Sequence, residues 1–283
     1  MKSDSNRRFP KKTIHPCVLA GLIILAAFFF IAIFADQLRP YSMSELSEPY
    51  QKPSPLHLFG TNDIGQDILS EIILGTRTTL LIGISAAASV ILIGLGIGLA
   101  GGYLGGTVDK TARTMIAVAM TLPQLPLAIV LVTYLPPNIW NIVIAITITS
   151  WAGTAKLLRA KTLEIRRLPF VLAEEMMGQN SFVIMFKHIL PNMKDIVMMR
   201  ATLAVSLAML TEAGLSFLGL GVSSQKSWGS VLHYAFQKNG VIAGMTWWYL
   251  PPIICISLCI FGFVLLGYYG FGTPGQGRRK LNR

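Results

Sequence analysis

Leu163–Asn192 reads LEIRRLPFVLAEEMMGQNSFVIMFKHILPN, the most charged long segment in a chain otherwise built for lipid. Its pattern predicts a bent pair of short helices. Pro169 suits a first helical turn, because its fixed φ is already helical and its missing N–H has no intrahelical partner there. Phe170, Ala173 and Met177 recur at helical spacing while Glu174 and Glu175 turn elsewhere, so one side is expected to pack and the other to stay wet. Gly178 permits a turn. Asn180 or Ser181 can cap a second helix, whose Phe182, Met185, Phe186 and Ile189 form another apolar stripe until Pro191 breaks the pattern.

Around this hairpin the composition leaves little choice of solvent. Of 283 residues, 53% are hydrophobic and only 13% charged, too apolar for an ordinary soluble domain. The expected fold class is all-α, a polytopic membrane protein with six transmembrane helices. The net charge of +11 is divided among short segments flanking apolar runs, with no stripe of aromatic and basic residues. That distribution suits a membrane surface and not nucleic acid. Cys17, Cys255 and Cys259 all lie in apolar runs and make no disulfide framework. Cys255 and Cys259, one helical turn apart, are read as helix packing in preference to a soft-metal site.

Taken in order, residues 1–16 form a basic N-terminus and 17–35 an apolar run close to the roughly 20 residues that a crossing needs. The run is longer than a signal-peptide core of about 7–15 residues, and Ala32-Ile-Phe-Ala35 is not its cleavage pattern, so a retained first helix is expected. Residues 36–78 are polar and interrupted by Pro40, Pro49, Pro53 and Pro55, as in an extracytoplasmic segment lying on the membrane surface. A five-helix core spans 79–270, with a cytoplasmic loop over 156–195, and 271–283 is a basic tail. The second span, from about Thr79 to Ala100, contains Gly96-Ile-Gly98-Leu-Ala-Gly101. A dinucleotide turn needs a strand before it, which a charge-free run of membrane length does not supply. Gly94, Gly98 and Gly102 repeat every four residues and are read as a close helix contact instead.

Asp109, Lys110 and Arg113 mark a short cytoplasmic turn. Thr114 to Ala155 carries no charge, which allows two spans hinged at Pro136-Pro137-Asn138. Pro123 and Gln124, in Thr121-Leu-Pro-Gln-Leu-Pro126, break a helix at membrane depth. Freed backbone groups there need protein or a water-filled cavity around them, so these two either line a path or form a packed kink. Of the 24 Lys and Arg residues, only Arg39, Lys52, Arg77, Lys226 and Lys238 fall on the outer side in this arrangement, which orients the hairpin and both termini to the cytoplasm. The fifth span starts near Ile196 and carries Glu212, an ionisable residue at membrane depth that is either substrate-facing or bonded near a helix end. The sixth runs from about Trp247 to Tyr269, with Trp247-Trp248-Tyr249 as an outer interfacial belt and Tyr268-Tyr269 as an inner one.

These motifs resemble those of the membrane-spanning permease subunit of bacterial ATP-binding-cassette importers, in the dipeptide, oligopeptide and nickel branch. In the family's Glu-Ala-Ala, three residues, Gly, then Leu-Pro signature, Leu172, Ala173 and Glu174 occupy the triplet, and Gly178 and Leu190-Pro191 match. Leu172 stands where the family has Glu. His57-Leu-Phe-Gly-Thr61-Asn-Asp63-Ile-Gly65-Gln66-Asp67 followed by Gly75-Thr-Arg77 also resembles the family, with Gln66 for its usual Arg. So does Glu212-Ala-Gly-Leu-Ser-Phe-Leu-Gly-Leu-Gly221, with Ser227-Trp228-Gly229 after it.

The resemblance implies a multi-pass protein of the bacterial inner membrane that is not an enzyme. It implies ATPase coupling through Phe170, Leu172, Ala173, Glu174, Glu175, Met176, Met177, Gly178, Phe182, Phe186, Leu190 and Pro191, with Pro123, Gln124 and Glu212 as candidates for the translocation path. The implied partners are a second related permease, two cytoplasmic ATPases, an extracytoplasmic solute-binding protein and membrane lipid. No cofactor or metal is expected on this chain, ATP and Mg being bound by the ATPase. Consistently, the sequence has no phosphate-binding Gly-x4-Gly-Lys-Ser/Thr, and no Ser-His-Asp constellation or metal-spaced Cys/His cluster is evident in it. A di- or oligopeptide is the first solute class, nickel or a metal chelate the next. The rival readings are a secondary transporter, which would need inverted repeats and charge relays beyond Glu212 and Arg200, and a membrane scaffold.

Overall fold

The computed structural model describes residues 15–222 and 224–271. The basic residues Lys2, Arg7, Arg8, Lys11 and Lys12 and the tail residues Arg278, Arg279, Lys280 and Arg283 lie outside the described residues. The helices are α1 (Pro16–Ile33), α2 (Ile68–Leu104), α3 (Gly106–Thr121), α4 (Gln124–Tyr134), α5 (Ile139–Arg166), α6 (Pro169–Met176), α7 (Lys194–Leu215), α8 (Trp228–Gln237) and α9 (Thr246–Leu265). Helices α1, α2, α5, α7 and α9 are each long and apolar enough to cross a membrane. The pair α3 and α4, bent by 85°, makes a sixth crossing if it counts as one span. No strand occurs among the described residues, only an isolated bridge between Thr61 and Asp67.

Helix α2 begins at Ile68 and not near Thr79. Asp67 is its N-cap: Oδ2 accepts from the Ser70 backbone N–H and hydroxyl, both at 2.8 Å. The 37 residues make a rod about 55 Å long, well beyond a hydrocarbon core of about 30 Å. Its polar first turns exceed what the apolar layer needs and are buried, in part by the loop that precedes them. Glu71, Thr76 and Thr79 are each at most 1% exposed.

The Gly94, Gly98 and Gly102 stripe lies against α5, as read. A Cβ at Gly94 would come within 2.7 Å of the Thr154 Cγ2, and one at Gly102 within 2.6 Å of the Thr162 Cβ. Without side chains on α2 the two backbones approach closely.

The turn after α2 is Gly105-Gly106, with φ of +70° and +53°, conformations that favour glycine. Asp109, Lys110 and Arg113, expected in that turn, lie instead within α3. Asp109 bridges Arg159 of α5 and Arg113, which satisfies the acid on a helix that must pack. The bend between α3 and α4 falls at Leu122-Pro123, where the sequence breaks its own hydrogen-bond ladder. The connection from α4 to α5 ends at Asn138, whose side chain accepts from the Trp140 N–H at 2.9 Å.

At the end of the bundle away from the hairpin, Phe28, Ile68, Ile72, Val231, Trp228 and Trp248 share one core. Helix α8 starts with a reciprocal cap in which Ser227 Oγ accepts from the Ser230 N–H and Ser230 Oγ accepts from the Ser227 N–H. Trp248, expected in an interfacial belt, is fully buried. Helix α8 and the Tyr50 segment cover it, and the Tyr50 ring meets it edge-on at 6.1 Å.

Candidate functional site: the hairpin and the open face of the bundle

The hairpin starts with Pro169 at the N-terminus of α6 and turns at Gly178, whose φ is +76°. Gln179 N–H donates to the Glu174 carbonyl and Gly178 N–H to the Glu175 carbonyl, both at 3.1 Å, the paired bonds of a Schellman stop. Asn180 then caps the return arm by accepting from the Phe182 N–H at 2.9 Å. This arm continues through Ser181–Val183, a π-helical Ile184–Ile189 and Leu190–Asn192. Pro191 therefore does not end it. The wide turn just before it is the kind of ladder fault that accommodates a proline, and the arm stops at Met193.

On α6 the packed and wet sides are the reverse of the sequence expectation, and on the return arm the expected apolar stripe divides, Met185 and Ile189 buried and Phe182 and Phe186 exposed. Val171, Ile184, Met185 and Ile189 are buried against Leu99 and Tyr103 of α2 and Leu158 and Ile165 of α5. Phe170, Ala173 and Met177 are exposed. Glu174 and Glu175 are half-buried because each finds a base: Glu175 lies 3.5 Å from Arg166, and Glu174 lies 3.6 Å from His188. Arg166 also sits over the Tyr103 ring at 5.4 Å. With the acids turned inward, the short helix presents its apolar residues outward. Met176 is 89% exposed, Met177 72%, Phe182 68% and Phe186 55%, the two Phe rings lying parallel with centroids 6.4 Å apart. Phe170, Leu172 and Pro191 are also exposed, and Leu190 is half-buried beneath them.

The three path candidates are not brought together. Pro123 and Gln124 are exposed at the α3–α4 bend. Glu212 is wholly buried, with Ser216 Oγ donating to its Oε1 at 2.7 Å and Oε2 enclosed without a hydrogen-bond partner among the described residues. It stands where α7 meets α2 and α8. There the Trp228 N–H donates to Thr79 Oγ1 at 3.3 Å, and a Cβ at Gly229 would come within 2.6 Å of the Ala213 carbonyl oxygen.

Sequence reasoning missed the polar network at this end. His57 Nδ1 lies 3.0 Å from Asp67 Oδ1 and Nε2 lies 3.0 Å from Ser47 Oγ. A Ser-His-Asp alignment thus exists where none was evident, but Asp67 is also the cap of α2, and the three side chains staple the preceding loop to that helix. Gln66, in place of the family's Arg, donates to the Met43 carbonyl at 2.8 Å and accepts from Asn62 at 3.2 Å. Asn62 also donates to Glu71 at 3.0 Å, and Lys226 reaches the same Glu71 oxygen at 2.6 Å. Only the accumulation of polar residues before α2 hinted at this. Lys226 is too distant in sequence to be paired by inspection. Among the described residues no three His, Cys, Asp or Glu side chains converge on a metal site.

The sequence profile described as "Binding-protein-dependent transport system inner membrane component" matches residues 90–270. The chain belongs to this family. It is 34% identical to the dipeptide transport system permease protein DppC of Bacillus subtilis, over 93% of this chain and 82% of that protein. It is also 34% identical to the oligopeptide transport system permease protein OppC of the same organism, over 92% and 83% of the two chains. Identity to the glutathione transport system permease protein GsiD of Pectobacterium atrosepticum is 33%, over 92% and 86%. The protein is therefore a membrane permease subunit of an ATP-binding-cassette importer and not an enzyme. It works with a separate ATPase and a binding protein, as that family does.

Proposed function

We propose that this permease forms half of the translocation path for a di- or oligopeptide and is driven through the Gly178 hairpin by a cytoplasmic ATPase. The relatives named for dipeptides, oligopeptides and glutathione, itself a tripeptide, support the solute class. The observation that carries the coupling is the cluster of Met176, Met177, Phe182 and Phe186, exposed on a bend that is rigidly capped and seated on α2 and α5. Bare methionines and aromatics in water favour a docked partner whose cleft removes them from solvent. In this reading the hairpin and both termini face the cytoplasm, and a second related permease, two ATPases and an extracytoplasmic binding protein complete the assembly. ATP and Mg sit on the ATPase. Pro123 and Gln124 face the path, and Glu212 anchors α8 at the outer end.

Two variants test the coupling. Met176→Asp changes a side chain with almost no contacts of its own. Gly178→Arg places a long cation on the bend, where no atom of the described residues lies within 4 Å of a Cβ but φ is positive. Both are expected to leave the subunit inserted, to lose the co-purifying ATPase, and to lower ATP-dependent uptake of trialanine in proteoliposomes by roughly tenfold or more. Normal uptake by both variants would refute the coupling role.

A further inference from the structure

Arg200 sits six residues into α7, about 9 Å along the helix from Lys194. Its only hydrogen bond among the described residues is from Nε to Thr154 Oγ1 of α5, at 3.3 Å. No Asp or Glu oxygen lies within 4.0 Å of it among the described residues. Nη2 lies beside Gly153, 3.2 Å from where a Cβ would stand, so the missing side chain leaves room for the guanidinium. Arginine on a membrane span is costly and normally finds a counter-charge. Here the four N–H donors of the two Nη groups belong to a half-buried side chain and have no partner among the described residues.

The position is also continuous with the α3–α4 bend. Arg200, Leu207, Thr211 and Gly214, at i, i+7, i+11 and i+14, share one face of α7. Leu207 is exposed and Thr211 and Gly214 are half-exposed. Gly214 lies beside Leu125, 3.9 Å from where its Cβ would be, next to Pro123 and Gln124. The open face thus runs from the bend to Arg200.

We infer that Arg200 is a specificity-determining residue that receives a carboxylate of the passing solute, in bidentate fashion, at the inner end of this face. A planar guanidinium fork matches a carboxylate, and a peptide always carries one at its C-terminus. The inference rests on the peptide reading above. A lipid phosphate shares the chemistry, so the test must separate the two.

The test uses the complete importer in proteoliposomes, with the binding protein saturated by either trialanine or its C-terminal amide. Wild type is expected to take up the free acid faster. Arg200→Gln should slow free-acid uptake by roughly tenfold, leave the amide unchanged, and so abolish the preference, while Arg200→Lys restores part of it. Equal slowing of both peptides, or no slowing, would overturn the inference. So would an effect that vanishes in vesicles of phosphatidylcholine alone, which would assign the site to an anionic headgroup. Failure of both variants to assemble with the ATPase would assign Arg200 to subunit packing instead. If the wild type transports neither peptide, the peptide reading itself fails and this inference with it, an outcome distinct from any mutant phenotype.

Discussion

Lys226→Met should destabilise the detergent-solubilised permease by about 3 kcal/mol, whereas Lys226→Met combined with Glu71→Leu should recover most of that loss. Glu71 is 1% exposed and its carboxylate is held by Lys226 at 2.6 Å and Asn62 at 3.0 Å. Removing the lysine leaves a buried anion with one neutral donor, and it is the uncompensated charge, more than the lost attraction, that is costly. Removing both charges takes that penalty away. The Lys226 side chain is 19% exposed, so water softens the effect toward the lower end of what buried pairs show. Recovery should be incomplete, because Lys226 also lies 5.2 Å from the Tyr234 ring centre. Thermal unfolding of the two variants and of Glu71→Leu alone would measure the coupling. Equal stability of Lys226→Met and wild type would show that this bridge does not hold the loop before α2.

Gly98→Leu should prevent the bundle from closing, and Gly96→Leu, two residues away, should not. At Gly98 a Cβ would stand 2.9 Å from the Arg159 N and 3.0 Å from the Ala155 carbonyl oxygen. Those are backbone atoms of α5 and cannot swing aside as a side-chain tip could. The whole helix would have to retreat, parting the contacts on either side of it, at a cost of about 3 kcal/mol or more. At Gly96 no atom of the described residues lies within 4 Å of a Cβ, and leucine suits a helix better than glycine by up to about 1 kcal/mol. The yield of folded permease and its thermal midpoint should therefore fall for the first variant and hold for the second. Similar values for both would remove the close α2–α5 contact from the account of stability.

What the sequence revealed and what it hid divide along the distance between partners. Charge-free runs, the Gly94/Gly98/Gly102 repeat, Pro169 at a helix start, Asn180 as a cap and the break at Pro123 are decided within a few residues, and each is found in the structure. The readings that changed depended on distant groups. Asp109 looked like a turn marker because Arg159 is fifty residues away in sequence. Glu174 and Glu175 looked wet because Arg166 and His188 approach them only when the hairpin folds. The first turns of α2 looked like loop because the loop that buries them precedes the helix. Trp248 looked interfacial because nothing local shows that α8 returns to cover it. Of the hairpin, the apolar set that Phe170, Met176, Met177, Phe182 and Phe186 present outward was legible, but not the inward turn of Glu174 and Glu175. Of the open face, Pro123 and Gln124 were legible as a helix break, and Arg200 was noted only as a charge.

Trp228 and Trp248 are both fully buried in the core at the end of the bundle away from the hairpin, and Trp140, the most exposed indole, is 56% accessible. An indole shut away from water emits at shorter wavelength than a wetted one. A permease with Trp140, Trp151 and Trp247 replaced by phenylalanine would thus carry two chromophores at the seam between α8 and the bundle. Their emission should redden if that seam parts when the binding protein delivers its load, giving an optical gauge of movement at that end with no added label.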